Sequence, residues 1–276
     1  MHRCSPTVPA QSPISADPMS DELLYDVRDR VAYVTINRPK VLNAISAELD
    51  EQLARRWDDI ESDPEIWVAV LRSTGERAFS AGADLNSPAD PPPHRIALGG
   101  GLTGIGGPLR VLRKPLVAEV QGYALGGGFE LAMAADIIVA AENAQFGLPE
   151  VKAGIIGEAG VVHRAIRQLP HHVAMALILT GDRLSAEQAL HFGLVNEVVP
   201  FAELNTAGEV WARKLTAASP LAQQAAKHAV LSRANHPLEV ALSTKFELIE
   251  AYARSRDVEE GRRAFQQKRA PRWTGT

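Results

Sequence analysis

The chain has 276 residues, of which 46% are hydrophobic and 22% charged, with a formal net charge of −4. These values are typical of a globular protein with one large domain or a core plus a small appendage, and they leave no basic field that would attract nucleic acid or a membrane surface. The single cysteine, Cys4, excludes an intramolecular disulfide framework. We expect a cytoplasmic protein with neither nucleic acid nor membrane as a partner.

Residues 1–20 contain four prolines and little apolar periodicity. They lack the continuous apolar stretch of a secretory signal. This composition predicts a disordered N-terminal leader.

The first half of the remaining chain alternates between predicted strands and helices. Residues 31–36 are rich in β-branched side chains and predict a strand paired with residues 23–27. Ser46 offers an N-cap for an amphipathic helix that runs to about residue 62. Further strands are predicted at residues 66–71, 116–120 and 137–140. This alternation indicates an α/β fold, and periodicity by itself suggests a doubly wound sheet.

The second half is mostly helical. Residues 185–188 read as a capping box, Gly193 ends the helix that follows, and residues 194–199 are extended. Later helices are predicted over about residues 201–218, 221–232, 237–254 and 259–269.

Two segments of small residues stand out, AFSAGADL at residues 78–85 and GYALGGGFE at residues 122–130. Each reads as the point where a strand ends and a turn or helix begins. Small residues there leave backbone N–H groups open to a ligand, and two such groups aimed at one carbonyl oxygen would form an oxyanion hole. Glu130 follows the glycines on the first helical turn, and Glu150 follows in GLPE, so two carboxylates would flank the carbonyl.

The chain closely resembles the enoyl-CoA hydratase/isomerase (crotonase) family from about residue 23 to its end. The resemblance rests on the order and spacing of several motifs. They are NRP at 37–39 with NA at 43–44, AGAD at 81–84, GGGFE at 126–130, GLPE at 147–150, GLVN at 193–196, and AF at 264–265 with KR at 268–269.

The resemblance implies a crotonase (ClpP-like) spiral of ββα repeats with a C-terminal helical region. It places the spiral core in residues 21–200 and a helical trimerisation region in residues 201–276. It also implies a homotrimer or a hexamer formed as a dimer of trimers.

The resemblance also implies site residues. The backbone N–H groups of Ala83 and Gly127 would form the oxyanion hole. Glu150 would protonate Cα of a 2-enoyl thioester, and Glu130 would mainly activate water. Coenzyme A belongs to the substrate, so neither a further cofactor nor a metal is expected. The residues expected to bind CoA or substrate are Lys40, Leu42, Ala44, Ala81, Asp84, Leu85, Gly126, Pro149 and Lys268.

Two features depart from an ordinary hydratase. Glu158 stands where standard hydratases usually have glycine, and carnitinyl-CoA dehydratase-like proteins and dienoyl-CoA isomerases carry an acid there. Glu158 either caps the following helix or supplies a third carboxylate to the pocket. The PRWTG run at residues 271–275 also resembles the carnitinyl-CoA dehydratase branch.

The Pro- and Gly-rich residues 87–108 predict either a surface loop or a flap beside the acyl pocket. We expect an enoyl-CoA hydratase that adds water across C2=C3. The alternatives are an enoyl-CoA or dienoyl-CoA isomerase, a specialised acyl-CoA dehydratase, or a catalytically silent CoA-binding protein on the same fold.

Overall fold

Two β-sheets form the framework of this computed structural model, which describes residues 21–84, 110–157 and 160–276. The larger sheet has the order β1-β2-β3-β5-β7-β10, and the smaller sheet has the order β4-β6-β8-β9. Only β1 and β9 run antiparallel to their neighbours among these paired strands. The strands are β1 Leu23–Arg28, β2 Val31–Ile36, β3 Val68–Ser73, β4 Ala78–Ser80, β5 Leu116–Val120, β6 Tyr123–Leu125, β7 Ile137–Ala141, β8 Gln145–Gly147, β9 Arg183–Ser185 and β10 Glu197–Val199.

Three successive strands of the larger sheet are each followed by a strand of the smaller sheet: β3 by β4, β5 by β6 and β7 by β8. The corner between β5 and β6 requires glycine. Gly122 has φ +54°, and a Cβ there would lie 2.2 Å from the carbonyl oxygen of Arg77. Because both sheets advance together, the chain follows a spiral and brings the ends of β4, β6 and β8 side by side.

Helices pack around the two sheets, and 3₁₀ turns occur at Pro39–Val41, Pro149–Ala153 and Phe201–Glu203. The described α-helices are α1 Ala47–Ser62, α2 Gly127–Met133, α3 Val161–Gln168, α4 His171–Thr180, α5 Ala186–His191, α6 Leu204–Thr216, α7 Pro220–Arg233, α8 Leu238–Ser243, α9 Glu247–Ala253 and α10 Arg256–Gln266. In the part of the chain that the structure describes, no helix is long and apolar enough to cross a membrane.

The larger sheet is buried on both faces. Leu116, Ala118 and Val120 of β5 belong to the main core with α1, whereas Val117 packs with α6 on the opposite face. Side chains alternate along a strand, so Glu119 also points towards α6. This placement separates Glu119 from the face that carries the two predicted catalytic glutamates.

Several predicted elements are confirmed. The β1–β2 pairing joins Leu23 to Ile36, and β5 has the predicted bounds. Ser46 caps α1 by accepting a hydrogen bond from Leu49 N, and Ser185 with Gln188 forms the capping box of α5. The spiral architecture also replaces the single doubly wound sheet that periodicity by itself suggests.

Other predicted bounds were wrong. The strand predicted at 66–71 is Val68–Ser73, and the last helix begins at Arg256 rather than residue 259. The helix predicted over 237–254 divides into α8 and α9. The break falls at Thr244, whose backbone is extended and whose hydroxyl donates back to the carbonyl of Val240 at 2.7 Å.

The predicted leader, residues 1–20, lies outside the described residues. The division of the chain at residue 200 stays a prediction.

Candidate active site

The two small-residue segments meet where the smaller sheet gives way to α2. Gly82 follows β4 with φ +90°, and a Cβ there would lie 2.8 Å from Leu125 O and 2.9 Å from Gly127 N. Gly128 packs as closely on β4, since a Cβ there would be 2.2 Å from Ser80 O. The glycines therefore allow two backbone segments to approach more closely than any side chain would permit.

The backbone N–H groups of Ala83 and Gly127 are the predicted oxyanion donors, and each lies outside the hydrogen bonding of its own element. Ile45 donates to Gly82 O at 2.8 Å and accepts from Asp84 N at 2.9 Å, so the N–H of Ala83 between them points to the other side. Gly127 is the first residue of α2, where backbone N–H groups have no intrahelical partner. The positive end of the helix dipole adds to the attraction for an oxyanion.

Glu130 lies on the first turn of α2 with only 3% of its surface exposed. Its Oε1 accepts a hydrogen bond of 3.0 Å from the backbone N–H of Val161, at the start of α3. A carboxylate bound to a helix N-terminus is favoured in its negatively charged form.

Arg164 supplies a second positive influence on Glu130. It lies one turn into α3, and burial lowers the pKa of its guanidinium while the charge of Glu130 acts in the opposite direction. The interaction between the two side chains keeps a cation close to Glu130 inside the protein. This environment suits a group that acts as a base.

Glu150 occupies a different environment. It lies in the 3₁₀ turn Pro149–Ala153, and burial raises the pKa of its carboxyl above the ordinary value of 4.5. Its Oε2 is buried and has no hydrogen-bond partner among the described residues. Such a carboxyl holds its proton to higher pH than an exposed glutamate, which suits a general acid.

Glu150 lies beside the turn before α2, and both glutamates lie near Val161. A Cβ on Gly126 would be 3.1 Å from Glu150 Oε1, so Glu150 lies beside the peptide that precedes Gly127. A Cβ on Gly157 would be 3.3 Å from the same oxygen and would clash with Val161. A small cavity of about 30 Å³ contains Glu150, Gly157 and Val161 in its wall, together with apolar side chains.

The structure also groups several residues predicted for the CoA path. Ala81 N donates to Leu42 O at 3.0 Å, and Ala44 is buried next to the pairing of Ile45 with Ala83. Asp84 forms an ion pair with Arg38, with 3.1 Å between Oδ2 and Nη1. Because its carboxylate is paired with Arg38, we expect Asp84 to border the predicted CoA path with its backbone.

Lys40 and Lys268 are exposed, the first in the turn Pro39–Val41 and the second in a left-handed conformation after α10. Their binding of CoA phosphates stays a prediction. Leu85, Glu158 and the predicted flap at residues 87–108 lie outside the described residues. Within the described residues, no cluster of three or more His, Cys, Asp or Glu side chains could hold a metal ion.

Sequence analysis missed Val161, Arg164 and Gly157 as parts of this site. The sequence did indicate a helix that starts after Gly160. A backbone N–H at the start of that helix (Val161) and a basic residue one turn later (Arg164) could both bind an acid. Their partner, Glu130, comes from another helix, so sequence spacing could not identify the pairing.

Comparisons with known proteins agree with this geometry. The sequence model of enoyl-CoA hydratase/isomerase matches residues 26–276. (E)-benzylidenesuccinyl-CoA hydratase of Thauera aromatica is 37% identical over 253 residues, which cover 91% of this chain and 98% of the relative. Carnitinyl-CoA dehydratase of Salmonella typhi is 39% identical over 262 residues, which cover 93% and 100%.

Solved structures give the same result. A protein named as a candidate short chain enoyl-CoA hydratase from Novosphingobium aromaticivorans has a TM-score of 0.85 at 58% identity, covering 93% of this chain and 98% of that one. Enoyl-CoA hydratase from Mycobacterium tuberculosis has a TM-score of 0.86 at 39% identity, covering 93% and 100%. The fold expected from the resemblance is confirmed, and this chain belongs to the enoyl-CoA hydratase/isomerase family.

Proposed function

We propose that this protein adds water across the C2=C3 double bond of a trans-2-enoyl-CoA. The observation that carries the proposal is the contrast between the two acids. Glu130 is bound to the start of α3 beside Arg164, whereas burial raises the pKa of the Glu150 carboxyl. Two neighbouring carboxyl groups with opposed environments are suited to act as base and acid in one reaction.

The chemistry follows from these positions. The thioester oxygen binds the N–H groups of Ala83 and Gly127, which stabilise negative charge as it develops. Glu130 takes a proton from water, and the resulting oxygen nucleophile bonds to C3. The electron pair of the double bond moves to Cα, which receives a proton from Glu150. Water is thereby added without any change in oxidation state, and the two acids exchange protons with solvent before the next cycle.

The substrate and assembly complete the proposal. The CoA portion follows the path past Leu42, Ala44, Ala81 and Gly126, with Pro149 beside the acyl group. Lys40 and Lys268 meet its phosphates. The exposed apolar side chains Leu238, Leu242 and Phe265 support assembly into a trimer or a dimer of trimers. The reaction needs no resident cofactor, and we place it in the cytoplasm.

A second candidate is the same chemistry in reverse on a specialised hydroxyacyl-CoA. The similarity to carnitinyl-CoA dehydratase favours it, since that name describes removal of water from an acyl-CoA. The similarity to (E)-benzylidenesuccinyl-CoA hydratase supports only a specialised acyl group, since that name describes hydration. Glu158 would then be a third acid in the pocket. An isomerase would use the same acids to move a proton between carbons without adding water.

Hydration of crotonyl-CoA, followed as loss of the enoyl-thioester absorbance, tests the proposal. Glu150→Gln and Glu130→Gln should each lower kcat by about 10²–10⁴-fold, the usual contribution of a general acid or base. The matched control is Glu142→Gln, since Glu142 is exposed. Full activity in either active-site variant would refute the assignment. Turnover of a carnitinyl-CoA-type substrate without crotonyl-CoA hydration would favour the second candidate.

A further inference from the structure

A second cavity, of about 570 Å³, opens on the opposite face of the larger sheet from the glutamate pair. It lies near the ends of β2 and β3, where β1 and the start of α6 complete its walls. Its volume is in the range of small-molecule sites. The reaction proposed above uses none of its lining residues.

Arg72 is the cation in this cavity. Its Nε donates to Thr35 Oγ1 at 3.1 Å, and its guanidinium lies 4.9 Å from the centre of the Tyr33 ring. Among the described residues, no carboxylate lies within ion-pairing distance of Arg72. The side chain is therefore held in place with the outer edge of its guanidinium available, the arrangement that binds a carboxylate through two parallel hydrogen bonds.

Glu119 lies behind Arg72 and is fully buried. Neither of its oxygens has a hydrogen-bond partner among the described residues, and Gly208 of α6 leaves just enough room for it, since a Cβ there would be 2.0 Å from Oε1. The charged groups that face it are Arg72 on β3, Arg28 on β1 and Glu209 on α6.

Burial raises the pKa of Glu119 to about 8, and the charge of Arg72 opposes this rise only in part. A carboxyl with a pKa of about 8 is mostly protonated at pH 7, so Glu119 offsets little of the charge of Arg72. Asp26, which also lines the cavity, faces Arg28 at 3.8 Å. Glu209 lies between Arg28 at 2.7 Å and Arg213 at 3.8 Å, so two carboxylates and two guanidinium groups offset each other.

We propose that this cavity is a binding site for a small monovalent organic carboxylate, held by the guanidinium of Arg72. Leu24, Tyr25 and Phe201 line the cavity beside its polar side chains. The walls therefore favour an anion that also has an apolar part. A single uncompensated cation matches a single negative charge better than a dianion.

Calorimetric titration with benzoate tests the proposal on the full-length protein. Arg72→Gln should lower the affinity at least about tenfold, because charge-assisted bidentate pairs are the strong hydrogen bonds of proteins. Arg55→Gln removes the same charge from an exposed position on α1 and should leave the affinity unchanged. Arg72→Lys keeps the charge without the planar fork, and an intermediate affinity is expected; it also serves as the test if Arg72→Gln fails to fold.

Two further measurements locate the site. Wild-type affinity for benzoate should fall as the pH rises through about 8, where Glu119 ionises, and Glu119→Gln should abolish this fall. In crystals soaked with para-iodobenzoate, anomalous iodine density should lie beside Arg72. Undetectable benzoate binding at millimolar concentrations, equal affinity in Arg72→Gln, or iodine density only beside Glu150 would each overturn the proposal.

Discussion

The backbone N–H of Val161 donates a hydrogen bond of 3.0 Å to the carboxylate of Glu130. Val161 also lies in the wall of the small cavity that contains Glu150. Val161, at the start of α3, therefore binds Glu130 and also borders the cavity that contains Glu150. The start of this helix therefore contributes to the different environments of the two carboxyl groups.

The alkaline limb of the pH profile should depend on the burial of Glu150. A general acid must be protonated, and burial raises the pKa of Glu150. We therefore expect kcat to remain high at pH values above 4.5, the ordinary pKa of glutamate, and to fall as the pH rises through the raised pKa. Val162→Thr places a hydroxyl in the apolar wall of the same cavity and should move this limb to lower pH. A limb that stays in place or moves upward in a kcat profile on crotonyl-CoA would contradict this role of burial.

Gly82→Ala should damage the proposed oxyanion hole. The new Cβ would lie 2.9 Å from Gly127 N and would force the two peptide segments apart. We expect kcat to fall by about 10²–10³-fold, as when one oxyanion donor is lost. Gly193→Ala is the control, because Gly193 also has positive φ but a Cβ there meets open space. Similar hydration rates in the two variants would show that the close approach is unimportant.

Arg164→Gln should move the acid limb of the profile upward. Removing a nearby cation makes a carboxylate harder to ionise, so hydration should need a higher pH to reach its full rate. Arg167→Gln, on the same helix but exposed, should leave the limb unchanged. The measurement is kcat against pH for the three proteins. An unshifted limb in Arg164→Gln would mean that Arg164 contributes only to packing.

Glu119 should make the folded state less stable as the pH rises. Its pKa is about 8 in the folded protein against an ordinary value of 4.5, so the folded state binds more protons between these values and the free energy of unfolding falls with rising pH. Glu119→Gln should remove this slope and exceed the wild type by about 2 kcal/mol or more at about pH 9, since each pKa unit corresponds to about 1.4 kcal/mol.

Urea unfolding at a series of pH values measures this effect. The exposed Glu142→Gln variant should retain the wild-type slope. If the free energy of unfolding varied with pH in the same way for the wild type and Glu119→Gln, Glu119 would be hydrogen-bonded to water or to another partner in solution.

Features that depend on residues a few positions apart could be predicted from the amino-acid sequence. The cap at Ser46 and the capping box at Ser185 follow from local hydrogen bonding. The start of α2 at Gly127 and the position of Glu130 on its first turn follow from the run of glycines. The spiral fold could be predicted only from the family motifs, because their order and spacing are specific. Hydrophobic periodicity does not distinguish the spiral from a doubly wound sheet.

Which of these local features lie next to each other depends on the packing of the folded chain. The approach of Gly82 to Gly127 depends on the pairing of β4 with β6, and the hydrogen bond from Val161 to Glu130 depends on how α3 packs against α2. Glu119 gave no signal in the sequence, because a glutamate in an apolar strand becomes unusual only when a helix covers it. These contacts join segments far apart in the chain, and the register of the sheets and the packing of the helices fix them rather than local sequence.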